Sequence, residues 1–126
     1  MMSYTMVGTR DLHRAQVFYD KIFAAMGLDR CWSDESMCCW GVADDNRVPR
    51  FFVCIPFDGN PATVGNGSMT AFRIGSPDEI RKLYDISIEL GASCEGPPGP
   101  RPQYSEMFFG AYLRDLDGNK IAFVQF

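Results

Sequence analysis

"YLRDLDGNKIAF", residues 112–123, sets Asp115, Asp117 and Asn119 at alternate positions, which is how a calcium-binding loop begins. Such a loop needs Gly at its sixth position and a bidentate Glu at its twelfth. Counted from Asp115, those places hold Lys120 and Phe126, so the calcium loop is excluded. The stretch reads instead as a turn. Asp117-Gly118 is a strong two-residue hairpin signal, because a type I′ turn requires positive φ at both central residues. "FFGAYLR" before it and "KIAFVQF" after it are rich in residues that suit strands. A β-hairpin with a type I′ turn is therefore expected here, and its meaning depends on what the strands carry.

Upstream, the chain shows two copies of one unit. A helix is expected over 11–28. Asp11 is its N-cap, Leu12, Ala15, Phe18, Tyr19, Ile22, Phe23 and Met26 form an apolar stripe, and Gly27 ends it. A second helix is expected over 76–92. It has Ser76 as N-cap, Pro77 at the first helical position, Glu79 completing a capping box and Gly91 at the end. Tyr19 and Tyr84 stand 65 residues apart, and so do the caps Asp11 and Ser76. A short strand precedes each helix, "YTMVGT" and "SMTAFRI". Further strands are expected at 29–33, 37–42 and 50–56, then at 92–95, 106–114 and 119–125. The pattern is βαβββ twice, an α+β fold, with module 1 about 1–62 and module 2 about 63–126. The segment "EGPPGPRPQ", 95–103, is expected to form a semi-rigid loop that cannot join a central strand.

The 126 residues suit one domain, with 46% hydrophobic and 22% charged residues. A net charge of −4 and the absence of a Lys/Arg cluster argue against nucleic acid as a partner. No apolar run approaches the ~20 residues of a membrane span. "MMSYTMVGTRD" lacks the apolar core of an export signal. Five cysteines, an odd number without such a signal, are expected to be reduced thiols in a cytoplasmic protein. No CxxC pair is present to build a zinc site.

Four stretches, "VGTRDLHRAQVFYDKIFAAMGL", "GNGSMTAFRI", "GPPGPRPQY" and "FFGAYLRDLDGNKI", together resemble the vicinal oxygen chelate superfamily. That superfamily includes glyoxalase I, bleomycin-resistance proteins and extradiol dioxygenases. The resemblance covers essentially the whole chain, and "YLRDLDGNKI" is its most diagnostic part. It implies two βαβββ modules whose sheets curl into a cup. In metal-dependent members, His and Glu side chains on four strands hold one divalent cation on the cup floor. There the metal chelates two neighbouring substrate oxygens and acts as a Lewis acid.

Carried over position by position, the resemblance implies a lost metal site. The first-strand His position is Tyr4, the His position after "GNGS" is Met69, and the Glu position after "GNKI" is Ala122. A fourth ligand would come from 51–55, where Phe52 and Cys54 are the nearest candidates and the register is open. The only histidine, His13, follows the first helix cap and is expected at the surface.

Strand alternation groups Tyr4 with Met6, Met69 with Ala71 and Arg73, and Ala122 with Val124. These residues would line a mostly apolar cavity, with space left at Ala122 and with Arg101 and Tyr104 on a rim. Arg73 suits a carboxylate or phosphate, or it reaches solvent near a strand end. Tyr4 is a candidate site residue or a core tyrosine. The aromatics Trp40, Phe51, Phe52, Phe108 and Phe109 would stack on a planar ligand or fill the core.

The expected function is metal-free and cofactor-free binding of a small aromatic or anionic molecule, as in the bleomycin-resistance branch. Tyr4, Phe52, Cys54, Met69, Arg73, Arg101, Tyr104 and Ala122 are the candidate contacts. A homodimer is implied by how such modules pair. The alternatives are a lyase, isomerase or dioxygenase-type enzyme using non-standard ligands or Tyr4 as its acid, and an interaction module whose cup is filled by its own side chains.

Overall fold

The structure, a computed structural model, describes residues 1–126. It contains two compact units, Met1–Val64 and Gly65–Phe126. In the first, Tyr4–Gly8 (β1), Leu12–Ala25 (α1), Asp29–Ser33 (β2), Met37–Gly41 (β3) and Arg50–Cys54 (β4) follow in order. In the second come Thr70–Arg73 (β5), Pro77–Glu89 (α2), Ser93–Pro100 (β6), Phe109–Arg114 (β7) and Lys120–Gln125 (β8). The sheets have the same topology, β1-β4-β3-β2 and β5-β8-β7-β6. In each the first strand runs parallel to the last and the other pairs are antiparallel. The expected α+β architecture, βαβββ twice, is present.

Local chemistry sets the helix ends. The Asp11 side chain accepts from the Arg14 N–H at 3.0 Å. The Ser76 hydroxyl accepts from the Glu79 N–H and donates to the Glu79 carboxylate, both at 3.2 Å. Each helix ends at a glycine of positive φ, Gly27 at 76° and Gly91 at 105°. After each, backbone N–H groups fold back onto the last carbonyls: Leu28 donates to Phe23 and Ala92 to Ser87.

Each helix covers one face of its own sheet. In unit 1, Ala15, Phe18, Tyr19, Ile22 and Phe23 are buried on α1, and Trp40, Phe51 and Val53 are buried on the sheet. Phe23 stacks on Trp40 at 5.4 Å, and Tyr19 lies 4.9 Å from Phe51. In unit 2, Ile80, Leu83 and Ser87 are buried on α2, with Ala111, Leu113, Ile121 and Phe123 on the sheet. The Ser87 hydroxyl donates to the Leu83 carbonyl at 2.7 Å, so this buried polar group is satisfied. No helix is long and apolar enough to cross a membrane.

Two expectations need correction. Residues 95–100 of the Pro/Gly-rich segment belong to β6 rather than to a loop. β6 is an edge strand with register shifts between Cys94 and Gly96 and between Gly96 and Gly99. An edge with bulges tolerates prolines because their missing N–H groups are not needed for pairing. The β7–β8 turn is also not type I′. No non-glycine residue has positive φ, whereas Gly118 lies at 90°. The Gly118 N–H donates to the Asp115 carbonyl at 3.0 Å, and the Asp115 N–H donates to the Asn119 carbonyl at 2.9 Å. That is a three-residue loop with its glycine in the left-handed position. The Asp115 carboxylate, buried in the turn, accepts from the backbone N–H of Asp117 and of Asn119 and from the Asn119 side chain, at 2.9–3.0 Å. The supposed calcium ligand is the turn's own clamp.

Candidate functional site

The face of each sheet turned away from its helix is where site residues can lie. In unit 1 the register Met6↔Phe52↔Cys39 puts Tyr4, Met6, Met37, Cys39, Phe52 and Cys54 on that face. In unit 2 the register Ala71↔Ala122↔Tyr112 does the same for Ala71, Arg73, Tyr112, Ala122 and Val124. The register also settles the open fourth position. Tyr4 and Met6 correspond to Met69 and Ala71 by the internal repeat. Met6 pairs with Phe52 as Ala71 pairs with Ala122, so Phe52 is the counterpart of Ala122.

Tyr4 is 59% exposed and meets Phe52 edge-on at 5.3 Å. Its Cα partner is Arg50, whose guanidinium is turned toward the 42–46 loop, bonding the Val42 and Ala43 carbonyls and Asn46. Cys54 and Met6 line an open cavity of about 290 Å³ at the ends of β1 and β4, with Gly8, Pro56, Asp58 and Ala62 among its other walls. Burial pushes the Cys54 thiol above its ordinary range. At neutral pH it is therefore a protonated thiol.

In unit 2, Met69 and Arg73 are exposed, and Arg73 makes no hydrogen bond or ion pair. Its guanidinium lies 4.6 Å from the centre of the Phe126 ring. Phe126 stacks on Phe108 at 5.6 Å and 8°, and Tyr104 meets Phe108 edge-on at 5.2 Å. Arg73 and Tyr104 thus belong to one string of rings. Arg101 is more committed. Its guanidinium donates to the Pro97 and Pro100 carbonyls and sits 5.4 Å from the Tyr112 ring centre.

Ala122 differs from the expectation of open space. It has 0% exposure, so no room for a water opens onto it. Its cross-strand partner Tyr112 occupies this face, close enough that a Cβ on Gly96 or Gly110 would crowd the ring or its hydroxyl. Burial raises the Tyr112 phenol pKa and neighbouring Tyr104 adds to this, against a lowering by Arg101. Tyr112 and Phe126 were missed in the sequence. Their signal was available: both share the parity of Ala122 and Val124 in the two strands of the hairpin. Of the other aromatics, Trp40, Phe51 and Phe109 are core, and His13 is exposed.

The donor set does not fit a hard divalent cation. Tyr4, Phe52, Met69 and Ala122 provide one phenol and no carboxylate or imidazole. Nowhere do three His, Cys, Asp or Glu side chains gather in a way that could hold a metal ion.

No protein-family model matches the chain, and neither does any curated protein. Solved structures do. A glyoxalase/bleomycin resistance protein from Albidiferax ferrireducens T118 is 34% identical, with a TM-score of 0.88 over 100% of this chain and 98% of that one. A glyoxalase/bleomycin resistance protein/dioxygenase family enzyme from Burkholderia phytofirmans PsJN shares the fold at 17% identity and TM-score 0.75, covering 98% and 96%. So does lactoylglutathione lyase from Agrobacterium tumefaciens, at 16% and 0.68, covering 99% and 92%. With two βαβββ units of the same topology and a full-length relative at this identity, the chain belongs to the glyoxalase/bleomycin resistance protein family of the vicinal oxygen chelate superfamily.

Proposed function

We propose that this protein binds a small planar aromatic or anionic molecule without a metal ion. The carrying observation is the residue set at the four repeat-related positions, Tyr4, Phe52, Met69 and Ala122. It replaces metal ligands with an aromatic and apolar surface. In unit 1, Tyr4 and Phe52 offer ring faces for stacking. In unit 2, Arg73 lies over the Phe126 ring with no carboxylate partner, and a guanidinium fork pairs with a carboxylate or phosphate through two parallel hydrogen bonds. Arg101 and Tyr104 position the rim, Ala122 forms part of the floor beside Tyr112, and Cys54 and Met6 border the unit 1 cavity. We further propose a homodimer, which would cover part of the exposed apolar surface of Tyr4, Met6 and Met69.

Native mass spectrometry of protein purified without added metal, combined with metal analysis, tests this reading. The expected result is less than about 0.1 equivalent of Zn, Ni, Mn or Fe, and a dimer mass of about 28 kDa. One equivalent of metal that survives dialysis and is lost in Tyr4→Phe would overturn it. Arg73→Ala should weaken binding of a small aromatic carboxylate panel by roughly tenfold or more if the guanidinium is the anion anchor.

A further inference from the structure

Cys31 and Cys39 lie on neighbouring antiparallel strands, and their sulfurs are 2.9 Å apart. A bulge creates this contact. The β2–β3 register shifts between Arg30 and Trp32, with Cys31 as the extra residue. Its thiol also points at the Cys39 carbonyl, at 3.6 Å. The hairpin around the pair is held by Asp34, which accepts from the Ser36 and Met37 N–H groups and the Ser36 hydroxyl. Cys38, next in the chain, faces the other way. Its thiol is buried on the α1 side of the sheet, near Gln16. Cys39 is fully buried and Cys31 half-buried.

We propose that Cys31 and Cys39 form an oxidisable dithiol whose disulfide staples edge strand β2 to β3. The oxidant is a hydroperoxide. Cys31 is the sulfur that solvent reaches. Its thiolate attacks the peroxide oxygen, the O–O bond breaks, and water leaves after protonation, giving a sulfenic acid. The Cys39 sulfur then attacks the Cys31 sulfur. The S–O bond breaks, the Cys39 proton leaves with the departing hydroxide as water, and the disulfide remains. Two thiols and one hydrogen peroxide give one disulfide and two waters. Cys39 is fully buried, and burial with the Cys31 contact raises its thiol to about 12, so it is not the sulfur that meets the peroxide first. A thiol reductant reverses the reaction.

The probe is hydrogen peroxide on a Cys94→Ser protein, which removes the one exposed thiol of the five. Peptide mapping should show a Cys31–Cys39 cross-link, with the intact mass falling by about 2 Da and returning with dithiothreitol. Tm should rise by roughly 5 °C, a modest gain because the closed loop is short. Amide exchange in β2 should slow. Cys31→Ser and Cys39→Ala should each abolish the cross-link, and Cys38→Ser should leave it intact. Because Cys39 is buried and Cys31 half-buried, Cys31→Ser disturbs the packing less and decides. A cross-link that persists in Cys31→Ser, that runs through Cys38 or Cys54, or that gives way to sulfinic acid at Cys31 would overturn the proposal.

Discussion

The two units fold alike on unlike interiors. Unit 1 packs Phe18, Tyr19, Phe23, Trp40 and Phe51 into one aromatic cluster, whereas unit 2 relies on Ile80, Leu83, Leu113 and Ile121 around Phe123. The faces away from the helices differ as much. Phe52 in unit 1 stands where Ala122 does in unit 2, and Cys39 pairs with Phe52 as Tyr112 pairs with Ala122. Helix caps, terminal glycines and alternation are common to both, and they are enough to set the topology. These faces hold different residues, buried Cys39 and Ala122 among them, on one and the same topology. One copy therefore becomes an aromatic and thiol surface, and the other an arginine and ring surface.

The interiors should respond differently to truncation. Trp40→Ala removes the largest buried ring and the indole N–H that donates to Asp20 at 2.8 Å. It should cost about 3–5 kcal/mol in urea unfolding, against about 2–4 kcal/mol for Leu113→Ala. Equal losses would mean that the aromatic cluster adds nothing beyond its volume.

The hairpin clamps give a second comparison. Asp115 in unit 2 and Asp34 in unit 1 each accept from two backbone N–H groups and a side chain within their turns. Asp115 is buried and Asp34 is exposed, so water can replace the lost bonds only at Asp34. Asp115→Ala should cost roughly 2 kcal/mol, and Asp34→Ala clearly less. Similar midpoints for the two variants would show that burial does not set the worth of these clamps.

The smallest effect concerns acid. Burial pushes the Asp20 carboxyl up, but hydrogen bonds from Arg30 and Trp40 outweigh it and hold the pKa below the ordinary 3.8. A depressed folded pKa stabilises above the unfolded value, and the contribution is lost as pH falls through the folded one. Wild type and Asp20→Asn should therefore differ in Tm at neutral pH and converge as pH falls below the ordinary 3.8 and through the depressed folded pKa. The partly exposed ion pair keeps the difference small. A gap that persists to lower pH would remove the carboxylate from the account of unit 1.

How much was legible in the sequence follows from the range over which each signal acts. The helices were legible because caps, terminal glycines and apolar spacing are local. Asp11, Ser76, Gly27 and Gly91 do in the structure what their types imply. The hairpin was legible as a hairpin, but its turn type was not. Asp115 captures two backbone N–H groups and so favours a three-residue loop over the two-residue turn that Asp-Gly suggests. Only the tertiary structure decided that residues 95–100 pair as a bulged edge, since pairing depends on what β7 offers alongside. It alone put Phe52 in register with Met6, because a slip of one residue would have turned Phe52 toward the helix. It also decided that Tyr112 pairs with Ala122, and that a bulge brings Cys31 to Cys39. The sequence by itself determined the caps, the repeat and the absence of carboxylate or imidazole at Tyr4, Phe52, Met69 and Ala122. Cross-strand register, a property of two strands together, decided which of those positions meet.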